Sequence, residues 1–282
     1  MIAIGLTLNK TTSETIATTT TTTIPPTIAI RTTTTATIPT TITIRTTTTT
    51  TTRQSVTHSQ NVNYQCNFDN DMTGDCQFML ASGGTNNLAI TNGNIPGGNP
   101  TQPLSDVTSV LSLTTPNNER CNFPYTYTPG NWQMYFCRRI SNTNYSCPTN
   151  SGLGQCAMGK FAGIRAPATT GAYDQTYVTD VKRSSSAIQC LDFYYYIPGT
   201  SNNPKIQVRW KADADTQQII ELTAHSENKW QHFSSSFTAP SSSSYQLTFR
   251  MMRDAGSFSY IFGLDEIKIY DQRCDSGMTA TQ

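Results

Sequence analysis

From Cys190 onward, apolar and polar residues alternate along the chain with a period of two. Leu191, Phe193, Tyr195 and Ile197 fall on one face of an extended strand. Ile206, Val208 and Trp210 repeat the pattern, and Tyr245, Leu247, Phe249 and Met251 repeat it again. Period two in β-branched and aromatic residues predicts half-buried strands. Turn residues cut the runs apart: residues 198–204 with their prolines and glycine, Asp213-Ala214-Asp215, and serines 241–244. No helical period intervenes, so residues 190–274 predict an antiparallel β-sandwich.

Upstream the pattern is sparser. Residues 77–81, 107–113, 159–165 and 175–181 are strand candidates, separated by stretches rich in Asn, Pro, Gly and Thr. Residues 1–52 are of another kind. Threonine dominates from 11 to 52, and a degenerate Thr-Ile-x-Ile-Arg unit ending at Arg31 returns at Arg45. Such a tract has too little apolar surface to offset chain entropy, so it reads as disordered: an O-glycosylated mucin-like stalk or a plain linker. Residues 53–64 form a polar lead-in containing His58, and 275–282 a short tail.

Composition narrows the class. Charged residues make up 13 % of the 282 residues and the net charge is +1. Nucleic-acid binding needs clustered Lys and Arg, whereas Arg138-Arg139 and Lys182-Arg183 read as solvated pairs. The eight cysteines include no C-x-x-C pair. They read as a disulfide framework formed in an oxidising compartment rather than as a zinc knuckle. No run of apolar residues is long enough to span a bilayer. The first eight residues are apolar but lack the basic start and small-residue cleavage site of a secretory signal, so the sequence reads as a fragment of a longer chain.

The chain resembles the MAM domain, a module named for meprins and receptor tyrosine phosphatases. The resemblance rests on Cys190-Leu-Asp-Phe-Tyr-Tyr, Trp230-Gln-His-Phe, Gly263-Leu-Asp-Glu-Ile followed by Cys274, and the opening Cys66-Asn-Phe-Asp with Cys76. It spans residues 65–274 and implies a jelly-roll sandwich of two antiparallel sheets. It also implies the pairings Cys66–Cys76 and Cys190–Cys274, which the chain-entropy view credits with about 3 and about 4.5 kcal/mol. By the same resemblance Asp69 and Asp265, with Asp106, are candidate ligands of a structural cation such as calcium. No other cofactor is expected.

Residues 115–159 depart from the family and read as an insertion. Cys121, Cys137, Cys147 and Cys156 lie there, and four cysteines allow three pairings. The segment's aromatics (Phe123, Tyr125, Tyr127, Trp132, Tyr135 and Phe136) fit either a recognition surface or a private mini-core. Asn144-Tyr-Ser146 and Asn9-Lys-Thr11 are N-glycosylation sequons.

Catalytic constellations are missing from the sequence. There is no nucleophile elbow, phosphate loop or dinucleotide fingerprint. His225 and His232 bracket a turn, and the adjacent Asp265 and Glu266 would face opposite sides of a strand. The expectation is a non-catalytic extracellular recognition or adhesion module, secreted or on the ectodomain of a membrane protein. Its partner would be another protein, including a second copy of itself. A carbohydrate-binding module is the alternative, to be judged by whether Trp210 and Trp230 line an exposed sheet face; an accessory domain of a larger extracellular enzyme is another.

Overall fold

The alternating runs form strands, and the strands stack as two antiparallel sheets. The computed structural model describes residues 62–93, 101–128, 130–141, 144–168, 170–182, 186–199, 201–242 and 244–274, with Ile140 and Ser141 as backbone only. The threonine-rich tract, Asn9, His58 and the tail lie outside the described residues. In chain order, β1 Val62–Cys66, β2 Met79–Leu80 and β3 Leu88–Thr91 precede helix α1 Val107–Leu111. Five short strands follow: β4 Tyr125–Tyr127, β5 Trp132–Met134, β6 Arg138–Ser141, β7 Asn144–Thr149 and β8 Gly152–Gln155. The remaining strands are β9 Phe161–Ala166, β10 Tyr173–Lys182, β11 Ile188–Tyr196 and β12 Lys205–Ala212, then β13 Asp215–Thr223, β14 Gln231–Thr238, β15 Ser244–Arg253 and β16 Tyr260–Tyr270.

One sheet runs β14-β11-β16-β9-β3, with β1 lying beside the second half of β16; the other runs β13-β12-β15-β10-β2. From β9 to β16 the chain changes sheet at every connection except the β12–β13 hairpin, which is how a jelly roll wraps. Facing side chains meet between the layers. Phe249 of one sheet packs edge-on against Phe193 of the other at 5.5 Å, and against Phe78 at 5.8 Å. Leu191, Ile206, Val208, Leu247 and Met251 are buried around them. Each such side chain contributes on the order of 1.5–3 kcal/mol by leaving water.

β16 breaks the alternation once. Phe262 and Leu264 are buried, and then Ile267 and Ile269, so the inward phase shifts by one residue. The cause is a bulge: Asp265 pairs with Tyr194 and Lys268 with Asp192, so Phe193 alone stands opposite Glu266 and Ile267. Glu266 takes the left-handed backbone this requires, with φ 50°. Asp265 is thereby aimed at α1.

Residues 107–113, expected as a strand, are helical over 107–111. Asp106 is the N-cap and accepts the Ser109 N–H, while Asp265 Oδ2 accepts the Val107 N–H at 2.9 Å. Two otherwise orphaned helix N–H groups are thus satisfied, which outweighs the β preference of Val107, Thr108 and Val110. The strand expected over 77–81 is reduced to the two-residue β2, at the edge of its sheet.

Candidate functional site

Two features stand out, a knot of carboxylates beside α1 and the cysteine-rich segment that covers it. In the knot, Asp69 follows the turn after β1, Asp106 caps α1 and Asp265 comes from the β16 bulge. Asp69 Oδ1 accepts the Lys160 N–H at 2.8 Å and Oδ2 accepts from Asn67 at 2.9 Å. Asp265 accepts the Val107 N–H on Oδ2 and the Glu266 N–H on Oδ1. Asp106 accepts from the Ser109 N–H and hydroxyl on Oδ1, but its Oδ2 is buried without a hydrogen-bond partner. A Cβ placed on Gly159 would fall 2.3 Å from Asp106 Oδ2 and 2.6 Å from Asp69 Oδ1, so both carboxylates close on a position only glycine can fill.

Crowding and burial set the electrostatics. Burial raises the Asp265 carboxyl well above the usual range; the Val107 N–H opposes this, and the neighbouring Asp106 and Glu266 charges add to it. Burial also raises Asp106; Ser109 and the nearby Gly159 N–H, which lies outside hydrogen-bond geometry to Oδ2, oppose it and the Asp69 charge reinforces it. The three acids predicted from sequence are therefore neighbours, but they do not form a three-carboxylate cage. Among the described residues, the cluster of metal-type ligand atoms lying within 4.8 Å of one another is Cys121, Cys137, Cys147 and Cys156, and these are spent in disulfides. Asp265 has committed both oxygens to backbone N–H groups. The free oxygen of Asp106, beside Asp69 Oδ1, is the atom that fits a cation.

The chain closes four disulfides: Cys66–Cys76, Cys190–Cys274, Cys121–Cys147 and Cys137–Cys156. The last two interleave, because 137 lies inside the first loop and 156 outside it. They build a small core with buried Tyr145. A second cluster joins Met134, Phe136 and Tyr127 of the segment to Tyr196, Trp230 and Phe161 of the sandwich. The segment's aromatics thus divide: Phe136 and Tyr127 are structural, while Phe123, Tyr125, Trp132 and Tyr135 stay half-exposed. Arg138, read from sequence as a solvated charge, lies over the Tyr127 ring with its guanidinium carbon 5.0 Å from the centroid. Its placement depends on the interleaved pairing, which sequence left open. Asn144 is exposed at the start of β7.

Other sequence candidates are placed differently. Trp210 and Trp230 are both buried, Trp210 between the sheets and Trp230 against Phe161, with its Nε1–H donated to the Ser105 carbonyl at 2.9 Å. They therefore form no exposed aromatic platform. His232 Nε2 lies 2.9 Å from Asp192 Oδ2 across the β11–β14 pair, and the His232 ring lies 4.6 Å from that of Tyr194.

A disulfide-stapled jelly roll that buries Trp210 and Trp230 and presents a cysteine-rich segment is the architecture of an extracellular module. The family model described as "MAM domain, meprin/A5/mu" matches residues 117–275, more than half of the chain, and the chain belongs to that family. MAM domains are extracellular, adhesion-type modules and are generally non-catalytic. The match takes in almost all of residues 115–159, the segment that read as foreign to the family. Comparison with curated proteins finds no match. Solved structures give distant likenesses. The CBM22-1 xylan-binding domain from Paenibacillus barcinonensis Xyn10C is 10% identical, covers 76% of this chain and 97% of its own, and has a TM-score of 0.35. TmCBM61, solved with β-1,4-galactotriose, is 10% identical over 41% of this chain and 72% of its own, with a TM-score of 0.31. The K2 cleaved adhesin domain of Lys-gingipain is 14% identical over 39% and 71%, with a TM-score of 0.27. Nothing about ligands of this chain follows from likenesses of that size. Among the described residues, no helix is long and apolar enough to cross a membrane.

Proposed function

We propose that this chain is a protein-recognition module that makes adhesive contacts, including contacts between copies of itself, through the cysteine-rich segment. The observation that carries the reading is the doubly stapled segment itself: it is fixed to the sandwich by Met134 and Phe136, while Phe123, Tyr125, Trp132 and Tyr135 pack partly against its small cores and keep part of their surface in solvent. Aromatic side chains on a rigid support favour binding, because little conformational freedom is lost on contact. The module acts by surface complementarity, with no chemical step.

Two details belong to the same reading. A cation held between Asp69 and Asp106 would neutralise the knot and supply a positive partner for the orphaned Asp106 oxygen. Calcium takes about six to eight oxygen ligands, so backbone carbonyls and water would complete its shell. Asn144 is expected to carry an N-glycan, which enzymatic deglycosylation would reveal as a loss of mass that is smaller or absent in an Asn144→Gln variant.

The test is aggregation of beads coated with the full chain made in an oxidising host. Clumping is expected, and reduction of the disulfides abolishes it. If EDTA also disperses the beads, the carboxylate knot contributes to the contact. Beads that never clump would sink the self-adhesive reading.

A further inference from the structure

The cysteine-rich segment carries an open cleft of about 240 Å³ between the β4–β5 hairpin and the edge of β7 and β8. Its walls carry three kinds of group. Arg138 supplies the charge. Leu153, 65% exposed, and half-buried Tyr125 supply apolar surface. Thr126, Thr128 and Ser146 supply hydroxyls, none of which makes a hydrogen bond to protein among the described residues. No acidic residue lines the cleft.

Charge decides the sign of the ligand. Across residues 115–159 there are three arginines, Arg120, Arg138 and Arg139, against one acid, Glu119. Glu119 is already engaged by the Ser151 N–H and hydroxyl. Arg138 has no carboxylate partner among the described residues. It lies over the Tyr127 ring, and its N–H groups make no hydrogen bond to protein among the described residues, which leaves them for a planar anion, the bidentate partner arginine favours. Size decides the rest. The cleft is smaller than the roughly 300–1,000 Å³ of sites for drug-sized ligands, so one small ring fills it, and any further unit of the ligand would lie outside. A ring with an apolar face, several hydroxyls and one carboxylate matches Leu153 and Tyr125, the three free hydroxyls, and Arg138.

We propose that this cleft binds a single carboxylated sugar ring, with the carboxylate on Arg138. The proposal rests on the reading of the cysteine-rich segment as the recognition surface and names the chemistry it recognises. An anionic side chain on a protein partner offers the charge but not the ring or its hydroxyls.

Saturation-transfer NMR on the full chain tests it, with glucuronic acid and N-acetylneuraminic acid as probes. Glucose and a short glutamyl peptide are the controls. Both acid sugars are expected to bind at least about tenfold more tightly than glucose or the peptide, the scale of one charge-assisted hydrogen bond. Arg138→Gln is expected to remove that advantage. Leu153→Glu, which places a negative charge at the exposed rim, is expected to weaken the acid sugars by a similar factor without changing the melting temperature. Equal binding of glucose and the acid sugars, tighter binding of the peptide, or an unaffected Arg138→Gln variant would overturn the proposal. A chain that clumps beads yet ignores both sugars overturns this inference alone; one that binds the sugars but never clumps overturns only the self-adhesive reading.

Discussion

Asp106 carries two duties that conflict. As helix cap it must present an acceptor to the Ser109 N–H, and as a buried neighbour of Asp69 and Asp265 it is penalised for its charge. Its folded-state pKa is raised above the unfolded value. Its contribution to stability is therefore full below the unfolded pKa and is lost as pH rises through the folded one. Asp106→Asn keeps a good cap, removes the charge, and turns an N–H donor toward the Asp69 carboxylate. In EDTA, melting temperatures of wild type and Asp106→Asn should separate progressively between acid and neutral pH, with the variant the more stable at pH 7. Calcium should then raise the wild type and leave the variant unmoved. Parallel curves across that range would remove Asp106 as the source of the penalty. The sequence marked all three acids through family motifs, but it could not show that Asp265 spends both oxygens on backbone N–H groups. That depends on the bulge at Glu266, where a left-handed residue moves the inward phase from Phe262 and Leu264 to Ile267 and Ile269.

At the scale of elements, β9, β10, β11, β12 and β15 were legible, while β13 and the short strands β4 to β8 were not. β11, β12 and β15 bury one face against another sheet, so their apolar positions must alternate. Helix α1 has only five residues and draws its stability from Asp106 and Asp265, one of them 158 positions away. The Asp106-x-x-Ser109 spacing was the available signal, hidden by Val107 and Val110. The cysteine-rich segment relies on staples for the same reason its strands were hard to see: β4 to β8 are too short to bury much. Replacing both members of Cys121–Cys147 by serine opens a loop between residues 26 apart and should cost about 3 kcal/mol. Limited proteolysis should then cut within residues 115–159 while β9–β16 resist, because Met134 and Phe136 tie the segment to the sandwich without supplying the sandwich's own core. Cleavage spread evenly along the chain would show instead that segment and sandwich unfold as one unit.

At the scale of the molecule, the wrapping of β9 to β16 brings the two limits of the described fold together. Val62 pairs with Tyr270 on antiparallel strands, so chain entering at β1 and leaving after β16 does so side by side. The module therefore hangs from its chain as a lateral loop rather than standing in line as a link. A pull applied through both ends does not shear the sheets lengthwise. It loads the β1–β16 pairs one after another, as a zipper is opened, and meets Cys66 at the end of β1. On the other side Cys190–Cys274 ties together residues 84 apart. At roughly 3.5 Å per residue, that keeps about 290 Å of chain out of any extension. A pull through both chain ends would therefore peel a single edge strand while the jelly roll and its cysteine-rich face stayed folded.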